Sequence, residues 1–256
     1  PSSGAAASTP WFDRSSARVI NAYRWRRSMA DALVSTRHRS IAPIEGGITA
    51  PTGFRSAAVH CGIKANRDAL DLAVLAVDTF ASTAGVFTIN LAQAAPVLIS
   101  KRHLDVNQGV ACAIVVNSGC ANACTGQAGL AHARQMTEDV ARALGCQPEQ
   151  VLVASTGVIG VGLNIARVSA GIHEACSSLA HGNGTLAARA IMTTDPFPKE
   201  AAIEVVSYKG PFRVGGIAKG SGMIEPMMAT MLGFVTTDAH VTPGLLQRAL
   251  RAAVED

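Results

Sequence analysis

Aromatic side chains make up 4% of the 256 residues and charged ones 16%, both low for a globular chain. With so few rings, a core has to be assembled from Ala, Val, Ile and Leu, which suits helices packed on sheets. Long hydrophobic runs are missing too. The uncharged stretch Val110–Leu130 is broken by Asn, Ser, Gly and Thr, so no membrane span is credible. Acids are scarce at the start of the chain: Arg14, Arg18, Arg24, Arg26, Arg27, Arg37 and Arg39 face Asp13 and Asp31, a local balance of +5. Set against a whole-chain charge of +4, this leaves −1 for residues 41–256. A body without a basic face excludes a nucleic-acid reader. The six cysteines lack a histidine at ligand spacing, which argues against zinc and for reduced, buried thiols.

What is present is a chain of 48% apolar residues and 24 glycines, enough for a real core and unlike a disordered segment. Residues 1–40 are rich in Ala, Ser and Arg, a composition that fits a targeting or disordered extension. From residue 41 the pattern alternates between strand-like and helical segments. Gly85–Asn90, Ala95–Ser100 and Ala111–Asn117 are short apolar runs bounded by turn formers and are predicted as strands. Leu130, Met136, Val140 and Leu144 recur at helical intervals, and Gly145 marks a helix stop. Val151–Ala154 is predicted as a strand that runs into Ser155-Thr156-Gly157. A second helix is predicted over about Asn164–Leu179, followed by a loop at His181–Gly184. Ile203–Ser207 and Phe212–Gly215 flank Lys209-Gly210, a hairpin turn. Thr242-Pro243 opens a last helix with an apolar face of Leu245, Leu246, Leu250 and Val254. That face finds no partner element before Asp256, which predicts that the chain is a piece of a longer protein.

The chemistry concentrates in Gly215–Phe234, a glycine-rich stretch with Lys219 and, eleven residues later, Thr230. It is not a P-loop, because Gly220 rather than Ser or Thr follows the lysine. Nor is it a nucleophile elbow, since Lys219 stands where Ser221 would need a glycine. Four phrases occur in order: Val115–Gly126 (VVNSGCANACTG), Ala154–Gly160 (ASTGVIG), Ile191–Asp195 (IMTTD) and the Lys219–Thr230 segment. Together they resemble the glutamate N-acetyltransferase family, also called ornithine acetyltransferase, of arginine biosynthesis. The likeness runs from Ile48 to Asp256, about four-fifths of the chain.

The resemblance implies a layered α/β/β/α sandwich, truncated at its C-terminal side, and a precursor that cuts its own Ala229–Thr230 bond. Residues 41–229 would then form an α-chain and 230–256 the start of a β-chain, two of each making a heterotetramer. Thr230 would be the nucleophile, Thr156 and Gly157 the oxyanion hole, and Thr193, Lys219 and Thr230 the substrate contacts. The implied reaction moves the acetyl group of N-acetylornithine to glutamate without metal or cofactor, with acetyl-CoA left open as a second donor. Independently of the family, cleavage makes chemical sense. A threonine hydroxyl needs a nearby base, and a freed α-amine, with a pKa of ~7.7–8.0, is one while an amide nitrogen is not.

Two positions depart from the family pattern: Cys120 and Pro196 stand where Asn and Thr are expected. Asn117 and Asn122 read as turn formers and Glu225 as a solvated loop carboxylate. His103, His132, His173, His181 and His240 lack paired acids or metal spacing and read as structural or exposed. The rivals are an N-terminal-nucleophile aminopeptidase of similar fold and an inactive fragment. The motifs favour a bacterial cytoplasmic enzyme, and an organelle matrix stays open through residues 1–40.

Overall fold

A computed structural model describes residues 38–221 and 230–255. Among these residues eight strands form two four-stranded sheets. In the first, β2 (Phe54–Val59), β3 (Leu72–Ser82), β4 (Val110–Cys120) and β5 (Val151–Val158) lie side by side in that order. β4 and β5 run parallel, joined through helix α2 (Gly126–Leu144), and the other pairs are antiparallel. In the second sheet the order is β1 (His38–Ile44), β6 (Lys199–Ser207), β7 (Gly210–Lys219), β8 (Leu232–Thr237), antiparallel throughout.

The first half of β3 is buried on both faces, which is why Leu72–Val77 reads as an apolar run rather than an alternating one. Leu72, Val74 and Ala76 join Ala113, Val115, Val151 and Val153 in a core covered by α1 (Ala95–Val106), α2 and α3 (Ile165–Ser177). The intervening Ala73 and Leu75 point the other way, with Val116, toward Ile217 of the second sheet. Between the sheets lies α4 (Gly184–Ala190), a short helix whose Ala187, Ala188 and Ala190 are fully buried. Small side chains let it fit there. The strand period of two therefore assigns the buried residues of β3, β4 and β5 either to the helices or to the space between the sheets.

Several predicted elements stand where expected. The α2 helix covers 126–144, with Gly145 as its left-handed cap at φ 71°. In α3 the cap is Asn164, whose side chain accepts from the Arg167 amide. The β6–β7 hairpin turns at Tyr208-Lys209, one residue before the predicted Lys209-Gly210, and α5 (Pro243–Glu255) begins at its proline. Two predicted strands are corrected. Ala95–Ser100 is the first half of α1, because Ala95, Ile99 and His103 bury at four-residue spacing and Pro96 occupies the first turn, where its missing N–H costs nothing. Gly85–Asn90 is not a strand: among the described residues no backbone pairs with it, and the Gln247 side chain bonds both the amide and the carbonyl of Gly85. The α5 helix buries no residue, and Leu245 and Val254 remain exposed. Among the described residues no helix is long and apolar enough to cross a membrane.

Candidate active site

The polar residues begin where β4 and β5 run out of apolar ones. Asn117, fully buried, bonds across to Ser155 (2.6 Å) and back to the Cys120 carbonyl (2.8 Å). Asn122, also fully buried, sits at φ 47° and holds Gly129 and Thr125. Asn122 thus sits in a turn, as read, whereas Asn117 is a residue of β4 paired with Leu72 and Ser155, so its reading as a turn former is corrected: its side chain bonds neighbouring strand ends instead of turning the chain. Of the five histidines named above, His103 is buried on the Val151 carbonyl (2.8 Å), a structural contact.

At the end of β5, Thr156 lies on the side of the strand that faces the second sheet, in phase with Ala154. On β7 the inward residues are Gly215, Ile217 and Lys219. Two strand alternations thus bring Thr156 and Lys219 face to face. The Lys219 ammonium donates to the Thr156 hydroxyl at 2.9 Å and to the Thr230 carbonyl at 3.4 Å. Residues 63 and 11 positions away in sequence meet on one nitrogen. Lys219 is 6% exposed, and burial pushes its pKa down, the nearby Asp195 carboxylate opposing and Lys199 adding to the shift.

Gly157 is held by more than its own flexibility. Its φ is +133°, and a Cβ there would stand 2.3 Å from the Gly119 carbonyl carbon and 2.6 Å from the Cys120 nitrogen. Gly119, at φ +102°, lies opposite it in the β4–β5 pairing, where Cys120 pairs with both Thr156 and Val158 in a bulge. A Cβ on Gly119 would in turn meet Ile63 at 2.9 Å and Lys64 at 3.2 Å. The loop carrying those two hangs on Asp71, a fully buried carboxylate that accepts the amides of Cys61 (2.6 Å), Ile63 (2.8 Å) and Lys64 (3.0 Å).

Sequence reasoning did not single out Asp195 as a site residue, although it ends the Ile191–Asp195 phrase. Its carboxylate is buried and accepts from Lys199 Nζ (2.6 Å), the Gly220 amide (2.8 Å) and the Thr193 amide (3.2 Å). Burial pushes its pKa up, but the Lys199 bond and the two amides outweigh that and hold it below the usual carboxylate range. Thr193 is thereby tied through Asp195 to Gly220, next to Lys219. Thr194 bonds Ser221, hydroxyl to hydroxyl, at 2.9 Å. The lysine four residues after Asp195 was the one available signal, and it is a weak one. Pro196, a departure from the family pattern, is exposed beside this turn. Ala229 and Glu225 lie outside the described residues.

A buried lysine between a strand-end Thr-Gly pair and a downstream threonine fits acyl transfer, where an oxyanion needs directed donors. The ArgJ family model matches residues 55–256. The chain belongs to the ArgJ family. It is 49% identical over 213 residues to the arginine biosynthesis bifunctional protein ArgJ of Symbiobacterium thermophilum, covering 83% of this chain and 52% of that protein. The ArgJ of Dehalococcoides mccartyi is likewise 49% identical, over 82% of this chain and 51% of its own length. The chain thus spans about half the length of the curated relatives it matches. Among solved structures, the Bacillus halodurans ArgJ superposes with a TM-score of 0.68 at 34% identity, over 75% of this chain and 98% of that one. The ornithine acetyltransferase of Mycobacterium tuberculosis, solved with ornithine, gives 0.67 at 39% identity, over 75% and 100%. These ArgJ structures share the α/β sandwich described above.

Proposed function

We propose that the protein to which this chain belongs is a self-processing glutamate N-acetyltransferase that moves the acetyl group of N-acetylornithine to glutamate. The observation that carries the reading is the single ammonium of Lys219, within hydrogen-bond reach of both Thr156 and Thr230. Membership of the ArgJ family supports the reaction class. The coverage supports the two-chain organisation: 75% of this chain accounts for a whole solved ArgJ chain, whereas 83% of it accounts for only 52% of a curated relative.

In processing, the Thr230 hydroxyl oxygen attacks the Ala229 carbonyl carbon. The C–N bond breaks, the amine takes the proton, and an ester remains. Water hydrolyses that ester, leaving a carboxylate on Ala229 and a free hydroxyl and α-amine on Thr230. The amine is then the base. It takes the hydroxyl proton as Thr230 attacks the acetyl carbonyl of N-acetylornithine, and the proton passes to the departing ornithine nitrogen. The amine of glutamate attacks the acetyl ester and regenerates Thr230. Thr156 and Gly157 are assigned to the oxyanion in each half-reaction. Lys219, with Thr193, is assigned to the substrate, where an ammonium suits an α-carboxylate. The processed enzyme is proposed as two α and two β chains. Nothing in these residues requires a cofactor, and acetyl-CoA is a candidate second donor.

The full-length gene product, expressed and weighed intact, should give two chains, the second beginning at Thr230. Thr230→Ala should stay whole and transfer no acetyl group to glutamate. Full transfer by an uncleaved wild type, or peptide hydrolysis in place of transfer, would overturn the proposal.

A further inference from the structure

The chemistry proposed above uses none of the six thiols, yet two of them meet. Cys112, near the start of β4, and Cys146, just past the end of α2, are 34 positions apart in sequence with their Sγ atoms 3.0 Å apart. Non-bonded carbon atoms rest about 3.5–4.0 Å from each other, and a formed S–S bond spans about 2.0 Å. About 1 Å of side-chain movement therefore separates this contact from a bond. Both thiols are free. Their backbones are fixed independently of each other. Ala111 and Ala113, on either side of Cys112, pair with β3, and Ala113 pairs also with Val151 of β5. The Cys146 amide donates to the Ala141 carbonyl at 3.0 Å, and the next amide, of Gln147, donates to the Gln150 side chain at 2.9 Å. Access to the two differs. The neighbours of Cys112 are buried, whereas Gly145 and Gln147, beside Cys146, are exposed. An oxidant arriving from solution thus meets Cys146 first. Burial pushes the Cys112 thiol up to about 12, which leaves little thiolate for a dissolved reagent. A partner already in contact compensates, because its effective concentration is high.

We propose that Cys112 and Cys146 form a modification site, which a low-molecular-weight disulfide converts into a reversible bridge tying β4 to the end of α2. The Cys146 thiolate attacks one sulfur of the small disulfide, and the other sulfur leaves as a thiolate that takes up a proton. Cys112 then loses its proton and attacks Cys146 Sγ. The protein S–S bond forms, and the second small thiolate leaves and is protonated. Two protein thiols are oxidised, and one small disulfide is reduced to two thiols. The bridge closes a ring over the β4–α2 connection that includes Asn117, Gly119 and Cys120, and it restricts the unfolded chain more than the folded one. Cys112 lies at the opposite end of β4 from those residues, so the bridge braces the strand without entering the site. The competing partner is Cys176 of α3, which packs on the same core and feels the charge of Cys146.

The test uses the full-length protein, reduced, freed of reductant and incubated without denaturant in oxidised glutathione. Remaining thiols are then alkylated, and peptides are mapped by mass without reduction. A peptide joining Cys112 to Cys146 is expected, lighter by two hydrogens than the sum of its parts and lost on adding dithiothreitol. The bridged protein should melt several degrees above the reduced one. In Cys146→Ala, Cys112 should be consumed by the same oxidant more slowly, by about tenfold or more, because its neighbour no longer presents the reacting sulfur. Cys176→Ala should alter neither the bridge nor the melting shift. If Cys146→Ala does not accumulate as folded protein, Cys146→Ser takes its place. A Cys146–Cys176 bridge, glutathione left on Cys146 beside a free Cys112, or no cross-link in the folded protein overturns the proposal. So does consumption of Cys112 at the wild-type rate when Cys146 is absent.

Discussion

Replacing Gly157 by alanine should damage both the fold and the chemistry, and the size of the effect follows from two separable penalties. The first is backbone conformation. A residue with a Cβ held at φ +133° is strained by about 1–3 kcal/mol. The second is overlap. The new methyl would lie 2.3 Å from the Gly119 carbonyl carbon, 2.6 Å from the Cys120 nitrogen and 2.7 Å from the Gly119 Cα, all backbone atoms that cannot rotate away. Forcing an extra methyl into such a site costs a further 1–3 kcal/mol or so. Together this is about 2–6 kcal/mol, a large part of the ~5–15 kcal/mol that holds a domain folded. Gly160, three residues on, supplies the control: its φ is +80°, and nothing lies within 4 Å of where a Cβ would be. Gly160→Ala should therefore lose only the conformational share, about 1 kcal/mol. Thermal melting of the two full-length variants should separate them by several degrees. For the soluble fraction of Gly157→Ala, acetyl transfer should fall by about 10²–10³, because the clash with the Gly119 and Cys120 backbone displaces the residue-157 N–H from the oxyanion, an effect comparable to losing one donor. A Gly157→Ala melting point equal to that of Gly160→Ala would refute the steric argument, and undiminished transfer would refute the assignment of Gly157.

Three other outcomes are expected. Thr156→Ala should melt near wild type, since the side chain is only half-buried, yet transfer about 10²–10³ more slowly; an unchanged rate would remove Thr156 from the oxyanion hole. Asp71→Asn puts an amide nitrogen against backbone N–H groups and should destabilise by about 3 kcal/mol. Hydrogen exchange should accelerate at Cys61, Ile63 and Lys64, and unchanged protection there would contradict the role given to Asp71. Burial pushes the thiols of Cys61 and Cys112 up to about 12 and that of Cys176 to about 11. At pH 8 the thiolate fraction of the first two is on the order of 10⁻⁴, and it rises about tenfold per pH unit below those values. Timed alkylation read by peptide mass should label the exposed Cys124 well before them; equal rates would refute the burial argument.

The sequence carried a good part of the architecture wherever a segment's own pattern matched its surroundings. The α2 helix was readable because Met136 and Val140 bury one face and Gly145 can take a left-handed cap. Strands β4 and β5 were readable because Ala111–Val116 and Val151–Ala154, buried between helices and the second sheet, are continuous apolar runs. Ala95–Ser100 was misread for a related reason: six residues of apolar sequence fit a strand or one side of a helix equally well. Its helical fate depends on Lys101–Val106 and on a Ser100 hydroxyl that bonds Val153, contacts invisible to a local window. The α4 helix escaped notice because Gly, Thr and Ala show no periodicity, and its place between two sheets exists only after both have formed.

Thr156, Gly157, Thr193, Lys219, Ala229 and Thr230 were named from ordered motifs, which record residue types at fixed spacing and therefore survive without coordinates. What the motifs could not supply is which atoms face one another. That Lys219 reaches both Thr156 and Thr230 follows from two strands in different sheets presenting the same phase inward. That Asp195 grips Gly220, or that Asp71 braces the loop against Gly119, depends on folding distant segments together, where burial strips water from a carboxylate and leaves backbone amides as its partners. Residue identity and order thus set the chemistry that is available. Proximity and desolvation, which arise only when the sheets close on each other, decide which groups take part in it.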